Sequence, residues 1–180
     1  MSFDPITELA RLQCGASLDE ALALFDSLPA VTVEQMMGRW RGADIPTGNP
    51  FDGLLAGMGW HGKRFTGPDD AHPLVFANER GQFLVNPKLI PLDLAIKLHK
   101  LLRKPTVQRL SRPLLSLMRT NKPAARLRLM EYRGIVTATM SYDALAINDH
   151  FRLADDSTLL GAMDLRGLAT PFFFTLRKES

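Results

Sequence analysis

The sequence predicts an α+β fold: an antiparallel β-barrel with an N-terminal helix and a two-helix basic insertion. Three observations carry this. The 180 residues are 46% hydrophobic and 23% charged, the balance of a globular chain built around one core. From residue 124 onward the apolar residues recur at every second position, in five runs joined by short polar links. Four shorter runs precede them, and about nine strands are enough to close a barrel.

The elements follow in order. Ser17 and Glu20 have the S-x-x-E spacing of a capping box, in which each side chain serves a backbone N–H of the first turn. They open a helix over Leu18–Leu28, where Leu18, Leu22 and Phe25 form one apolar stripe and Pro29 stops the run. A strand over 36–42 places Met36 and Trp40 on one side and Arg39 and Arg41 on the other. A short helix is expected over 49–58 and a strand over 61–65. Segments 73–77 and 82–86 flank Asn78-Glu79-Arg80-Gly81, a hairpin turn in which Gly81 supplies the unusual backbone angle. Two helices follow, 91–102 and 105–118, each opening on a proline tolerated in a first turn. In the second, Val107, Leu110, Leu114 and Leu117 keep the helical rhythm among Lys and Arg residues. Strands over 124–132, 134–142, 146–154, 158–164 and 171–177 then form a meander, with turns at Gly134 and Asp155-Asp156. The chain reads as a single domain, 1–180. A shift from acidic to basic composition near Asn86 separates residues 1–86 from residues 87–180, which hold the basic helices and the meander.

Charge is unevenly spread. From Lys88 to Lys122 there are nine Lys or Arg residues and one acid, Asp93. An anionic membrane surface is the expected partner of helices 91–119, with a solvated helical face as the alternative. Nucleic acid is disfavoured, because the segment has no aromatic residues for base stacking. No apolar run approaches the roughly 20 residues of a membrane span. The opening residues lack the pattern of a signal peptide, and the lone Cys14 has no internal partner, so a reducing cytoplasm is the expected compartment.

Several chemistries find no support. The four histidines are scattered without metal-ligand spacing, so no metal is expected. No G-x-S-x-G elbow is present. Gly57 to Lys63 fits G-x-x-x-x-G-K on paper, but a helix precedes it and a strand follows, the reverse of a phosphate-binding loop. It reads as a turn into a strand.

Gly38-Arg39-Trp40-Arg41-Gly42 is more specific. With Pro46-Thr47-Gly48, Gly59-Trp60-His61-Gly62-Lys63-Arg64-Phe65, Pro73-Leu74, Tyr142, Ile147-Asn148-Asp149-His150-Phe151-Arg152 and Gly161-Ala162-Met163-Asp164, it resembles the GXWXG-domain family of uncharacterised bacterial proteins. There a GXWXG domain is followed by a C-terminal domain of unknown function. The resemblance supplies no activity. The G-x-W is also similar to the first-strand motif of lipocalins and other calycin barrels. That likeness implies a calycin-like barrel with an arginine packed on the tryptophan, here Arg177 of the last strand. Haem-binding nitrobindins open on a similar motif and need a cavity-facing histidine. Parity puts His150 with Asn148 and Arg152 on the polar face, so no cofactor is expected.

Asp149 is the anomaly. Its face-mates in strand 146–154 are Ile147, Phe151 and Leu153, and a carboxylate on an apolar face must be paired, hydrogen-bonded or protonated. Tyr142 shares the inward parity of its own strand, and Lys63 is a candidate counter-charge. A structural Asp held by the fold and a polar anchor inside a cavity both fit. Met140, Phe151, Met163, Phe172 and Phe174 lie on the same meander and would line such a cavity or fill a core. The leading expectation is binding of a small hydrophobic ligand, such as a fatty acyl or isoprenoid-like molecule, with Asp149, Tyr142 or Lys63 holding its polar end. The alternative is an acid/base enzyme of isomerase or lyase type, with Asp149 and Tyr142 as the catalytic candidates. On either reading, Asp149→Asn is expected to alter ligand retention or turnover more than stability.

Overall fold

A computed structural model describes residues 4–180. Nine strands form one antiparallel sheet: β1 Gly38–Ile45, β2 Trp60–Gly67, β3 Asp70–Asn78, β4 Gly81–Leu84, β5 Ala125–Tyr132, β6 Ile135–Tyr142, β7 Ile147–Asp155, β8 Thr158–Leu165 and β9 Phe172–Lys178. Their order is β2-β1-β9-β8-β7-β6-β5-β3-β4, and a further β2–β3 pairing closes eight of them into a barrel. β4 hangs outside the ring. One edge of β3 is divided between two partners, with Ala71 opposite Ala125 of β5 and Val75–Asn78 opposite β4.

Two helices precede the barrel where one is expected: α1 Pro5–Gln13 and α2 Leu18–Ser27. Asp4 caps α1 by accepting the N–H groups of Ile6 and Thr7, and Pro5 sits at its first position. Both halves of the Ser17/Glu20 capping box are made. Together these helices cover the outside of the barrel. Leu9, Leu12, Leu24 and Phe25 pack there on Ile45, Leu160, Ala162 and Phe173. The outward face of β7 is therefore not solvated. His150 is 2% exposed and Arg152 0%, a correction to the polar face read from parity. His150 stacks on Tyr132 at 3.8 Å, and burial, then the Arg152 charge, holds its pKa down at about 4.

The barrel interior is a packed core for most of its length. Phe174 meets Trp60, Phe151 and Phe172 at ring-centroid distances of 5.9, 6.2 and 6.0 Å, and Phe65 meets Phe151 at 6.2 Å. Two glycines make this packing possible. A Cβ on Gly161 would stand 2.4 Å from the Phe174 ring, and one on Gly42 would stand 2.2 Å from the Trp60 indole. The second glycine of G-x-W-x-G is thus a seat for Trp60.

Trp40 is 1% exposed, and its indole N–H donates to the Met36 carbonyl at 2.7 Å. The arginine expected on it is elsewhere. In the β1–β9 register Arg177 lies opposite Arg41, on the outward face, while Lys178 lies opposite Trp40. The cation over the indole is Lys178, 5.4 Å from the ring centroid. Alternation along β9 gives the reason: Phe172, Phe174 and Leu176 face the interior, so Lys178 shares their side and Arg177 does not.

The basic insertion forms three short helices rather than two: α4 Leu92–Lys97, α5 His99–Leu102 and α6 Pro105–Leu115. They lie over one end of the barrel, bound to α3 Leu54–Met58 and the loop before it. Arg103 Nη2 donates to the Asn49 carbonyl at 2.6 Å, Gln108 Nε2 to that of Gly53 at 3.2 Å, and Arg112 Nε to that of Gly57 at 3.0 Å. Three side chains along the cover thus bond to carbonyls spaced one helical turn apart. No helix among the described residues is long and apolar enough to cross a membrane.

Candidate functional site

A cavity of about 260 Å³ lies between the barrel mouth and the helical cover. The barrel contributes Leu74, Phe76, Ile147 and Met163, α3 contributes Leu54, Leu55 and Met58, and the cover contributes Leu92, Ala95, Leu98, Leu102 and Leu115. Among the lining residues only Ser111 and Tyr142 carry polar side-chain groups, and none is charged. The local reasons are simple. Phe51, Leu54, Leu55 and Met58 keep the i, i+3, i+4, i+7 spacing that turns one apolar face inward. Ile147 and Met163 sit at the ends of β7 and β8 near the mouth, while Phe151 and Leu159 occupy the core below.

Behind the cavity wall is the only buried ion pair between side chains among the described residues. Lys63 Nζ lies 2.7 Å from Asp149 Oδ2, and the two side chains are 4% and 1% exposed. β2 brings Lys63 inward, and β7 brings Asp149 inward between Ile147 and Phe151. The Tyr142 hydroxyl donates to the same oxygen at 3.5 Å, while Asp149 Oδ1 is buried without a partner. The ammonium also lies 4.9 Å from the Phe174 ring centroid and 5.6 Å from that of Trp60. Burial pushes the Asp149 carboxyl up, and the Lys63 charge opposes this. Burial, then the Asp149 charge, raises the Tyr142 phenol well above its ordinary value, so it stays a neutral donor.

The structure therefore brings Asp149, Tyr142 and Lys63 together. Of these three, only Tyr142 lines the cavity. Met163 lines it as well, whereas Met140, Phe151, Phe172 and Phe174 are packed in the core below. The residues of α3 and the cover are the portion of the site that sequence reasoning missed. Their signal was present in the 51–58 spacing and in the leucines of 91–118, but nothing local says that these two stretches face each other. The Gly57–Lys63 stretch is the turn it was read to be: Gly59 ends α3 at φ 88°, and β2 begins at Trp60.

The model of the family described as GXWXG protein matches residues 23–81, and that of the domain of unknown function DUF4334 matches residues 123–178. A crystal structure of a protein from Thermomonospora curvata is similar over 99% of this chain and 100% of its own, at 28% identity and a TM-score of 0.72. No curated protein matches. The barrel core, from the GXWXG strand to the last strand, falls largely within the two matched segments. The cover falls between them.

Proposed function

Starting from a chain that joins a GXWXG domain to a DUF4334 domain, we propose that it binds a small, largely apolar molecule in the cavity beneath the helical cover. The barrel fold is consistent with ligand binding. The observation that carries the finer reading is the cavity itself: about 260 Å³, with two hydroxyls and no charge in its wall. An apolar cavity of about 150 Å³ is already large enough to hold benzene. A short acyl chain or an isoprenoid-like unit suits this volume and lining. The Tyr142 hydroxyl, held from behind by Asp149, is the group that would orient a polar end.

Binding is favoured over acid/base catalysis by the same geometry. Asp149 and Lys63 stand behind the wall, so of these three groups a substrate in the cavity would meet only Tyr142. A phenol raised above its ordinary pKa is a poor proton donor near neutrality. The test is native mass spectrometry of the protein purified from cells, followed by organic extraction. A bound apolar molecule, displaced by added fatty acid, supports the reading. A protein that never retains or takes up an apolar compound contradicts it. Chemical conversion of the retained molecule, lost in Tyr142→Phe with binding intact, would instead establish the enzyme alternative.

A further inference from the structure

The outer face of the cover has a second use. The stripe read from α6 does not enter the core: Leu110 is 77% exposed, Leu114 54% and Leu117, just beyond the helix, 81%. The inward side of α6 is instead made by Gln108, bonded to Gly53, by Arg112, bonded to Gly57, and by the buried Leu115. Leu89, Leu94, Leu98 and Leu101 are also exposed. Among the described residues, seven of the nine exposed large hydrophobics thus lie within one insertion, the other two being Leu129 and Val136. An apolar surface concentrated in this way marks a docking site.

The charge around these leucines identifies the partner. All nine Lys and Arg residues of 88–122 lie on or beside the cover, against the single Asp93. Among the described residues none of the nine forms an ion pair, whereas Arg11, Arg126, Arg128 and Arg133 elsewhere each have an acidic partner. Lys88, Lys97, Lys100, Lys104 and Arg109 are exposed. Exposed leucines interspersed along the chain with cations that have no acidic partner match a surface that is apolar below and anionic at its rim. We propose that the cover docks on the anionic face of a lipid bilayer, with Leu110 and Leu117 entering the acyl boundary and Lys97, Lys100 and Arg109 meeting the headgroups. This docking does not depend on cavity occupancy. Leu94, Leu98 and Leu114 are both exposed and in the cavity lining, so the docked face is also the face nearest the cavity.

The test is co-sedimentation of the full chain with phosphatidylcholine vesicles, with and without phosphatidylglycerol, over a salt series. Binding is expected only with phosphatidylglycerol and should fall as salt rises. The triple variant Lys97→Gln, Lys100→Gln, Arg109→Gln should bind on the order of a hundredfold more weakly, since each basic residue near the surface adds about fivefold. Leu110→Ser with Leu117→Ser should weaken binding while leaving the melting temperature unchanged, because both side chains are already exposed. Equal binding to both vesicle types overturns the proposal, as does no binding at low salt. So does a concentration-dependent dimer that the serine pair abolishes, which would make a second copy the occupant. Uptake of a fluorescent fatty acid, measured without vesicles, keeps the cavity reading separate from this outcome.

Discussion

Replacing Lys63 by methionine leaves the Asp149 carboxylate buried with only the Tyr142 hydroxyl for company. Replacing Asp149 by asparagine leaves the Lys63 ammonium without a counter-charge, held only by the Pro73 carbonyl at 3.4 Å and the aromatic rings around it. Unit charges 2.7 Å apart attract by about 6 kcal/mol at an effective dielectric near 20. Desolvation of both groups offsets much of that, so the pair adds little net stability. Breaking it from one side costs about 3–5 kcal/mol, because a lone charge stays buried. Each single variant should therefore lose about 3–5 kcal/mol in urea unfolding, followed by the fluorescence of Trp40 and Trp60. The double variant carries no buried charge there, and it should be more stable than either single one, within about 2 kcal/mol of the parent. A double variant that loses the sum of the two single costs would refute a coupled pair. The ion pair also changes the expectation for Asp149→Asn drawn from sequence: its first effect should be on stability, with occupancy altered only through the orientation of Tyr142.

Gly42→Ala should destabilise by about 1–3 kcal/mol, since its Cβ would fall 2.2 Å from the Trp60 ring and the indole must move; a change in Trp60 near-UV circular dichroism would accompany it. Gly57→Ala drives a methyl group to 2.0 Å from the Gln108 amide, so it should break the Gln108–Gly53 bond, cost about 1 kcal/mol and raise hydrogen exchange in α6. Burial raises the Asp44 pKa to about 6 from an ordinary 3.8, so the folded state holds that proton more tightly and loses up to about 3 kcal/mol as pH rises through this window. Asp44→Asn should remove that loss and be the more stable protein at pH 7, as read from melting temperature. His150 acts in the opposite sense. Its folded pKa of about 4 lies below its ordinary 6.5, so its contribution is lost as pH falls from 6.5 towards 4, a loss that the Asp44→Asn variant should retain.

What the sequence made legible follows from which forces are local. Period-two alternation marked the meander because one face of each strand is buried in the barrel, and the same alternation turned Asp149 inward beside Ile147 and Phe151. Its partners were legible in part: Tyr142 has the inward parity of its strand, whereas Lys63 stood only as a candidate counter-charge, since β2 is irregular between Trp60 and Arg64 and parity there places nothing. The contact on Trp40 was legible in part. The alternation that turns Phe172, Phe174 and Leu176 inward also sends Arg177 outward and Lys178 inward, whereas the pairing of Lys178 with Trp40 is set by the β1–β9 register, which is not local. The signs of α1 are local too: Asp4 caps it, Pro5 opens its first turn, and Ile6, Leu9 and Leu12 form its packed face. The leucine stripe of α6 marked an amphipathic helix correctly but not its direction: the same 3.6-residue rhythm serves a core face and a docking face. The cavity depended on two distant stretches, 51–58 and 91–118, meeting over the barrel mouth.

Titration of the delipidated protein with a fluorescent fatty-acid analogue tests the cavity most directly. It is compared with Ala95→Trp, which fills the cavity from its cover without touching the barrel core. The parent should bind one equivalent saturably, unlabelled fatty acid should compete, and Ala95→Trp should bind at least about tenfold more weakly at an unchanged melting temperature, the loss of roughly 1.4 kcal/mol of apolar contact. No saturable binding by the parent, or the same affinity in Ala95→Trp with its fold intact, would contradict a ligand site beneath the cover.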